Sequence, residues 1–234
     1  ADNILHEKLP AFAPYFDQKV FLQQVKNTIG AEKRIDVFPP LEAHAGGEIY
    51  YRTDHHWTTL GTYYGYEELT KAYRLPVRWY LKGEMKAVTE EFQGTLQSKV
   101  NLPVKGESIY MFPKTMEQEY RITYDLTKQT NSFYEESYLK GKNKYGYFLD
   151  DNHAFVEIEK NSYSDKTLFI IKDSYANSMV PLLAHHYKKV YVMDLRYFNG
   201  KLFDFMQKIL PFGSFCNLYS DFISTKPHGI LKSG

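Results

Sequence analysis

Asp54 and His56 stand two residues apart in Tyr50-Tyr51-Arg52-Thr53-Asp54-His55-His56-Trp57-Thr58, a spacing that suits acid–base chemistry. In an extended segment, residues i and i+2 point to the same side. Asp54 can then accept a hydrogen bond from one imidazole nitrogen of His56, which fixes the tautomer and stabilises the imidazolium, as a general base requires. His55 points the other way in that geometry and is the weaker candidate. Trp57 reads as packed support that fixes His56 rather than as a ligand contact. A partner for the pair lies far downstream, where the apolar run Thr167-Leu168-Phe169-Ile170-Ile171 leads through Lys172 and Asp173 into Ser174-Tyr175-Ala176-Asn177. Ser174, His56 and Asp54 together would form a hydrolase-type triad for acyl transfer.

Several elements must position these groups. Thr167 to Ile171 has the continuous apolar character of a strand buried on both faces. A helix follows from Ser174 to Tyr187, irregular or kinked at Pro181, and Val190 to Asp194 is the next strand. Strand–helix–strand of these lengths is a right-handed parallel unit, with sites beyond the carboxyl ends of its strands. Ser174 and Arg196 both fall there. At a helix start, the backbone N–H of Ser174 or Tyr175 is the natural first oxyanion donor. Upstream, Phe16 to Ile29 has helical spacing, with Asp17 as its N-cap and Gly30 as its stop. Lys33 to Phe38 alternates as a short strand, and Leu41 to Gly47 reads as a short helix or turn. Thr58 or Thr59 caps a helix over Leu60 to Arg74, in which Gly61 and Gly65 mark a close backbone approach, expected against a strand. Gln93-Gly94-Thr95 is a turn, Ile109 to Phe112 a strand, Phe203 to Ile209 a helix and Phe215 to Tyr219 one more strand. Residues 121–165 are polar, Tyr-rich and turn-rich, and read as β-hairpins inserted into the α/β frame or capping it.

The string Thr53-Asp54-His55-His56-Trp57-Thr58, with Lys172-Asp173-Ser174-Tyr175-Ala176-Asn177 and Met193-Asp194-Leu195-Arg196-Tyr197-Phe198, resembles the bacterial DHHW protein family. That family is similar in turn to the alginate O-acetyltransferases and other SGNH-hydrolase-like proteins. The resemblance implies a single α/β domain with a flavodoxin-like parallel sheet flanked by helices. It implies that Asp54 and His56 match the acid–base pair and Ser174 the nucleophile. It adds Gly94 as a backbone oxyanion donor and Asn152 as a side-chain donor, and brings Asn177 and Arg196 forward as oxyanion or substrate candidates. Arg196 pairing with Asp173 or Asp194 is the competing reading. The serine follows the acid–base pair here, whereas ordinary SGNH hydrolases have the reverse order, so the motifs are circularly permuted. Lys172 stands where the SGNH motif has glycine. The implied activity is O-acetyl transfer or ester hydrolysis on a surface or cell-wall polysaccharide, outside the cytoplasm. A membrane-bound acyltransferase would be the acyl donor, and an N-terminal anchor or signal region would precede Ala1.

Composition sets outer bounds. The 234 residues carry a net charge of +1 and 24% charged residues, which gives no basic excess for a nucleic-acid footprint. Aromatics make up 17%, with 21 tyrosines; most belong to core and interface, and an exposed cluster beside the site would suit sugar rings. The single cysteine, Cys216, cannot form an internal disulfide and reads as buried packing. No nucleotide loop or cofactor fingerprint is present, so no cofactor is expected. Two other readings stand beside the triad. One is a metal-dependent hydrolase with Asp54, His55 and His56 joined by His44 or His153. The other is a non-catalytic carbohydrate-binding or assembly protein on the same fold.

Overall fold

The structure is a computed structural model that describes residues 1–14, 16–30, 35–77, 83–100, 103–117, 119–161, 165–209 and 214–218. Its helices are α1 (Gln18–Ile29), α2 (Phe38–Ala43), α3 (Thr59–Ala72), α4 (Thr95–Val100), α5 (Val180–Ala184) and α6 (Leu202–Ile209). Its strands are β1 (Lys86–Phe92), β2 (Glu107–Met111), β3 (Tyr120–Tyr124), β4 (Lys128–Thr130), β5 (Phe155–Lys160), β6 (Thr167–Lys172), β7 (Lys189–Met193) and β8 (Ser214–Leu218). Six strands form the central sheet in the order β4-β3-β5-β7-β6-β8, and β1 and β2 pair separately as an antiparallel ribbon.

The central sheet is mixed. β6 runs parallel to β7 and to β8, so the expected parallel unit sits at one side. β5 pairs antiparallel with β7, and β3 pairs antiparallel with both β5 and β4. The strands of 121–165 therefore extend the sheet in its own plane. Their alternating burial explains this: Ile122, Tyr124, Val156 and Ile158 face the same core as Leu168, Ile170, Val190 and Val192. A hairpin with one fully apolar face gains about 25 cal/mol per Å² by continuing a sheet.

Both faces of the sheet are covered. The larger core joins it to α3, α5 and the aromatic loops, while Phe155, Phe169, Ile171, Tyr191 and Met193 on the other face pack against Leu202, Phe205, Met206 and Ile209 of α6. Among the described residues twelve tyrosines are buried, Tyr63 and Tyr66 completely, so tyrosine here is mostly core material. α1 is capped by the Asp17 carboxylate and ends at Gly30, whose φ of 93° suits glycine. α3 is capped by the Thr58 hydroxyl.

Three local expectations change. The strand expected over Lys33 to Phe38 lies partly outside the described residues; Ile35 to Val37 form no strand, and Phe38 begins α2, where Pro39 and Pro40 occupy the first turn. The helix expected from Ser174 to Tyr187 begins as a 3-10 turn, Ser174–Ser178, and becomes α5 only at Val180, with Pro181 in its first turn. Gly61 and Gly65 do mark a close approach, but against the Ile49 backbone and the Trp57 indole rather than a strand. The side chain of Cys216 lies outside what is described.

Candidate active site

Residues 50–57 do not form an extended strand. They make a tight loop closed by a bridge between Tyr50 and Trp57, with the Tyr51 N–H donating to the His56 carbonyl at 3.1 Å. Asp54 Oδ1 accepts the His56 backbone N–H at 3.0 Å and faces His56 Nδ1 at 2.5 Å. The Asp–His pairing is thus an Asx-type turn, not the i, i+2 relation of a strand. The loop also brings His55 alongside His56, with ring centroids 3.9 Å apart, rather than to the opposite side.

Two flanking elements hold the loop. The start of α4 donates to it: Leu96 and Gln97 N–H reach the Thr53 carbonyl, each at 3.0 Å, and Thr95 N–H and Oγ1–H reach Asp54 Oδ2 at 2.8 and 3.0 Å. Glu107, at the start of β2, accepts the backbone N–H groups of Arg52 and Thr53 at 2.9 and 2.8 Å and the Thr53 hydroxyl. Asp54 is therefore a saturated carboxylate, with two donors on each oxygen. Burial pushes its carboxyl up, but the His56 hydrogen bond and charge and the N–H groups of Thr95 and His56 outweigh that. The net result lies well below the usual carboxylate range.

The nucleophile candidate arrives from the other half of the chain. Ser174 follows the carboxyl end of β6, and its Oγ lies 2.8 Å from His56 Nε2. Ser174, His56 and Asp54 so form one hydrogen-bonded row with the imidazole in the middle. Trp57 fastens the row from below: its indole, 2% exposed, donates to the Tyr175 carbonyl at 2.9 Å and reaches Ser178 Oγ at 3.2 Å. The tryptophan next to the histidine thus grips the turn that carries the serine. Thr62 also bonds Ser178 Oγ, at 2.7 Å. Tyr145 stacks on the His56 ring at 3.8 Å and 8° between planes, which fixes the imidazole orientation.

The remaining candidates separate by position. Gly94 lies behind Asp54, not beside Ser174, and its N–H is bonded to Thr53 Oγ1 at 3.1 Å, which removes it from the oxyanion role. A Cβ there would overlap the Asp54 side chain. Gly94→Ala is therefore expected to displace the carboxylate and lower turnover at least tenfold, checked by steady-state kinetics beside a melting curve. The Tyr175 N–H is taken by the Asp173 carboxylate at 3.0 Å, and the Tyr175 hydroxyl donates to the His55 carbonyl. Asn177 is fully buried, and its Nδ2 donates to the Asp151 carbonyl at 3.1 Å, so it anchors the 151–152 turn. Asn152 Oδ1 receives Lys172 Nζ at 3.1 Å and the amide of Asn177 and guanidinium of Arg196 at 3.4 Å. Arg196 forks onto Asp194 at 2.9 and 2.6 Å, the ion pair that competed with a substrate role.

Three residues were missed by sequence reasoning: Glu107 and Tyr145 carry no motif, and Thr95 gave only the local signal of the turn at Gly94-Thr95. Lys172, where glycine was the norm, buries its ammonium against Asp194 at 3.3 Å, and burial pushes it down to about 8.

Asp54, His55 and His56 also gather ligand-type atoms close enough to hold a metal ion. The lone pairs are largely committed: all of Asp54's acceptor sites meet donors, and both nitrogens of His56 are bonded within the row. His44 and His153 do not join the group. His44 stacks on Tyr64 and bonds the Pro40 carbonyl, and His153 lies between Asp125 and Asp150.

The DHHW protein family matches residues 22–193. The chain belongs to the DHHW family. A DHHW family protein from Eubacterium siraeum DSM 15702 overlays with a TM-score of 0.75 at 24% identity, covering 92% of this chain and 74% of that one. Bacillus cereus PatB1 overlays with a TM-score of 0.75 at 20% identity, covering 94% of this chain and 79% of PatB1. A second structure of PatB1, with a sulfonyl adduct, gives 0.74 at 21% identity, covering 94% and 77%. No curated protein sequence matches the chain. The fold of this DHHW protein is the SGNH-hydrolase-like α/β fold that its motifs implied, with a mixed central sheet.

Proposed function

We propose that this DHHW protein is a serine acyl-transfer enzyme acting on O-acetyl groups of a polysaccharide, with Ser174 as nucleophile, His56 as general base and acid, and Asp54 as the carboxylate that orients and stabilises His56. The observation that supports this reading is the row itself, 2.8 Å from Ser174 Oγ to His56 Nε2 and 2.5 Å from His56 Nδ1 to Asp54 Oδ1. The Asp54 contact holds the proton on Nδ1 and leaves the Nε2 lone pair for the Ser174 proton. Ser174 Oγ attacks the acyl carbon, His56 takes its proton and passes it to the leaving alcohol, and an acyl-serine remains. A hydroxyl then attacks that acyl carbon, His56 takes its proton, and Ser174 leaves and recovers it. The Ser174 backbone N–H is the oxyanion donor on this reading, since the Tyr175 and Gly94 N–H groups are bonded elsewhere.

The same reading places the protein outside the cytoplasm, where surface glycans are built, with a membrane-bound acyl donor. Among the described residues no helix is long and apolar enough to cross a membrane. The test is release of p-nitrophenol and acetate from p-nitrophenyl acetate, run with and without an oligosaccharide acceptor. Turnover by the wild-type protein and an acetylated oligosaccharide in the products are expected. No turnover, with oligosaccharide binding retained, would overturn the reading in favour of a binding protein.

A further inference from the structure

His55 is left over from the row, yet the geometry fixes its protonation in a way that matters for substrate. Its Nδ1 lies 2.8 Å from Thr95 Oγ1, and that hydroxyl has one hydrogen, which it donates to Asp54 Oδ2 at 3.0 Å. Asp54 is held ionised and can only accept. Nδ1 of His55 must then be the donor to Thr95, so the neutral ring carries its proton on Nδ1 and a lone pair on Nε2. No group of the described residues bonds that Nε2, and the side chain is 47% exposed. Burial first, then the neighbouring His56, holds this imidazole below the usual histidine value; Lys99 adds to that, and Asp54 and Asp173 oppose it. The ring is therefore neutral near pH 7 and offers an acceptor beside His56. A cavity of about 480 Å³ opens next to it, with Asp54, His55, Leu96 and Tyr175 on one wall and residues that include Ala1 and Asp2 also lining it.

We propose that His55 is the residue that recognises the acyl acceptor, its Nε2 accepting a hydrogen bond from a hydroxyl vicinal to the one that attacks, so that the preferred acceptor is a sugar ring with neighbouring free hydroxyls. This rests on the acyl-transfer reading and deepens it. One hydroxyl approaches the acyl-serine and gives its proton to His56 Nε2. The next hydroxyl on the ring reaches the adjacent imidazole, whose ring centroid is 3.9 Å from that of His56. Water has no second hydroxyl to place there, so the contact favours transfer over hydrolysis. Tyr175, whose ring lies 6.0 Å from His55, supplies an aromatic surface at the cavity wall.

The test uses p-nitrophenyl acetate as donor with cellotetraose, whose rings carry vicinal hydroxyls, or n-propanol, which carries one hydroxyl. The ratio of acetylated acceptor to free acetate is read by mass spectrometry, so any general loss of turnover cancels. His55→Phe, which keeps a ring but no nitrogen, is expected to lower the cellotetraose ratio at least tenfold through a raised acceptor KM, and to leave the n-propanol ratio within about twofold. His55→Gln, which restores an acceptor oxygen, is expected to recover part of the loss. An unchanged cellotetraose ratio in His55→Phe overturns the proposal, as does an equal fall with both acceptors, which marks a structural role. Wild-type hydrolysis with no preference for cellotetraose over n-propanol also overturns it and leaves Ser174 standing. Absence of any wild-type turnover overturns the acyl-transfer reading instead.

Discussion

Ser174→Ala is expected to lower kcat/KM for p-nitrophenyl acetate by about 10⁴-fold or more, and His56→Ala by a similar factor. On the proposed mechanism, the hydroxyl and the imidazole act as one unit. Without the base, Ser174 keeps an ordinary serine hydroxyl; without the hydroxyl, His56 has nothing to activate but water. Groups that act together are grossly non-additive, so the double variant is expected to lose little beyond either single one. Additive losses would mean that the two residues work at separate steps. The fold should survive Ser174→Ala, because the turn that carries it is held by the Trp57 indole on the Tyr175 carbonyl and by the Asp173 cap on the Tyr175 N–H. Equal melting temperatures for the variant and the wild type would show that the loss is chemical.

Asp54→Asn is expected to lower kcat by about 10⁴-fold with the loop largely in place. Every polar group that meets Asp54 is a donor: His56 N–H and Nδ1–H at one oxygen, Thr95 N–H and Oγ1–H at the other. An amide must turn its NH₂ toward one of these pairs. Facing His56, it makes Nδ1 accept, which moves the imidazole proton to Nε2 and aims it at Ser174, the wrong tautomer for a base. Facing Thr95, it sets an N–H against an N–H. The carboxyl is also linked to acid stability. Its folded pKa is depressed, so its contribution is fully present above the unfolded value near 4 and is lost as pH falls toward the folded one. The variant should therefore lose stability less steeply than the wild type on acidification below about pH 4. A parallel acid-unfolding curve would contradict the saturated carboxylate described above.

Much of the site was legible because its residue types are chemically committed. A strand buried on both faces must be apolar throughout, so Thr167–Ile171 announced itself and located Ser174 at its end. An aspartate two residues before a histidine can pair in more than one backbone conformation. The pairing was therefore readable while the loop was not, and the placement of His55 followed the loop rather than the expected strand. The groups that tune the row came from elsewhere in the chain. Thr95, Glu107 and Tyr145 reach it only through tertiary contacts, and no local spacing marks a threonine that will bond a distant carboxylate. The hairpin of 121–165 looked like an insertion because its exposed residues are polar. Only the sheet order shows that its buried alternate residues continue the core. Gly94 was marked as special for a reason that proved steric: it makes room for Asp54.

The most direct test of the account is capture of the nucleophile with phenylmethanesulfonyl fluoride, followed by peptide mapping. The serine oxygen attacks sulfur, fluoride departs, and the imidazole takes the proton. A single adduct on Ser174, formed at least a hundredfold more slowly in His56→Ala, is the expected result. Labelling elsewhere with Ser174 untouched, or an unchanged rate in His56→Ala, would contradict it.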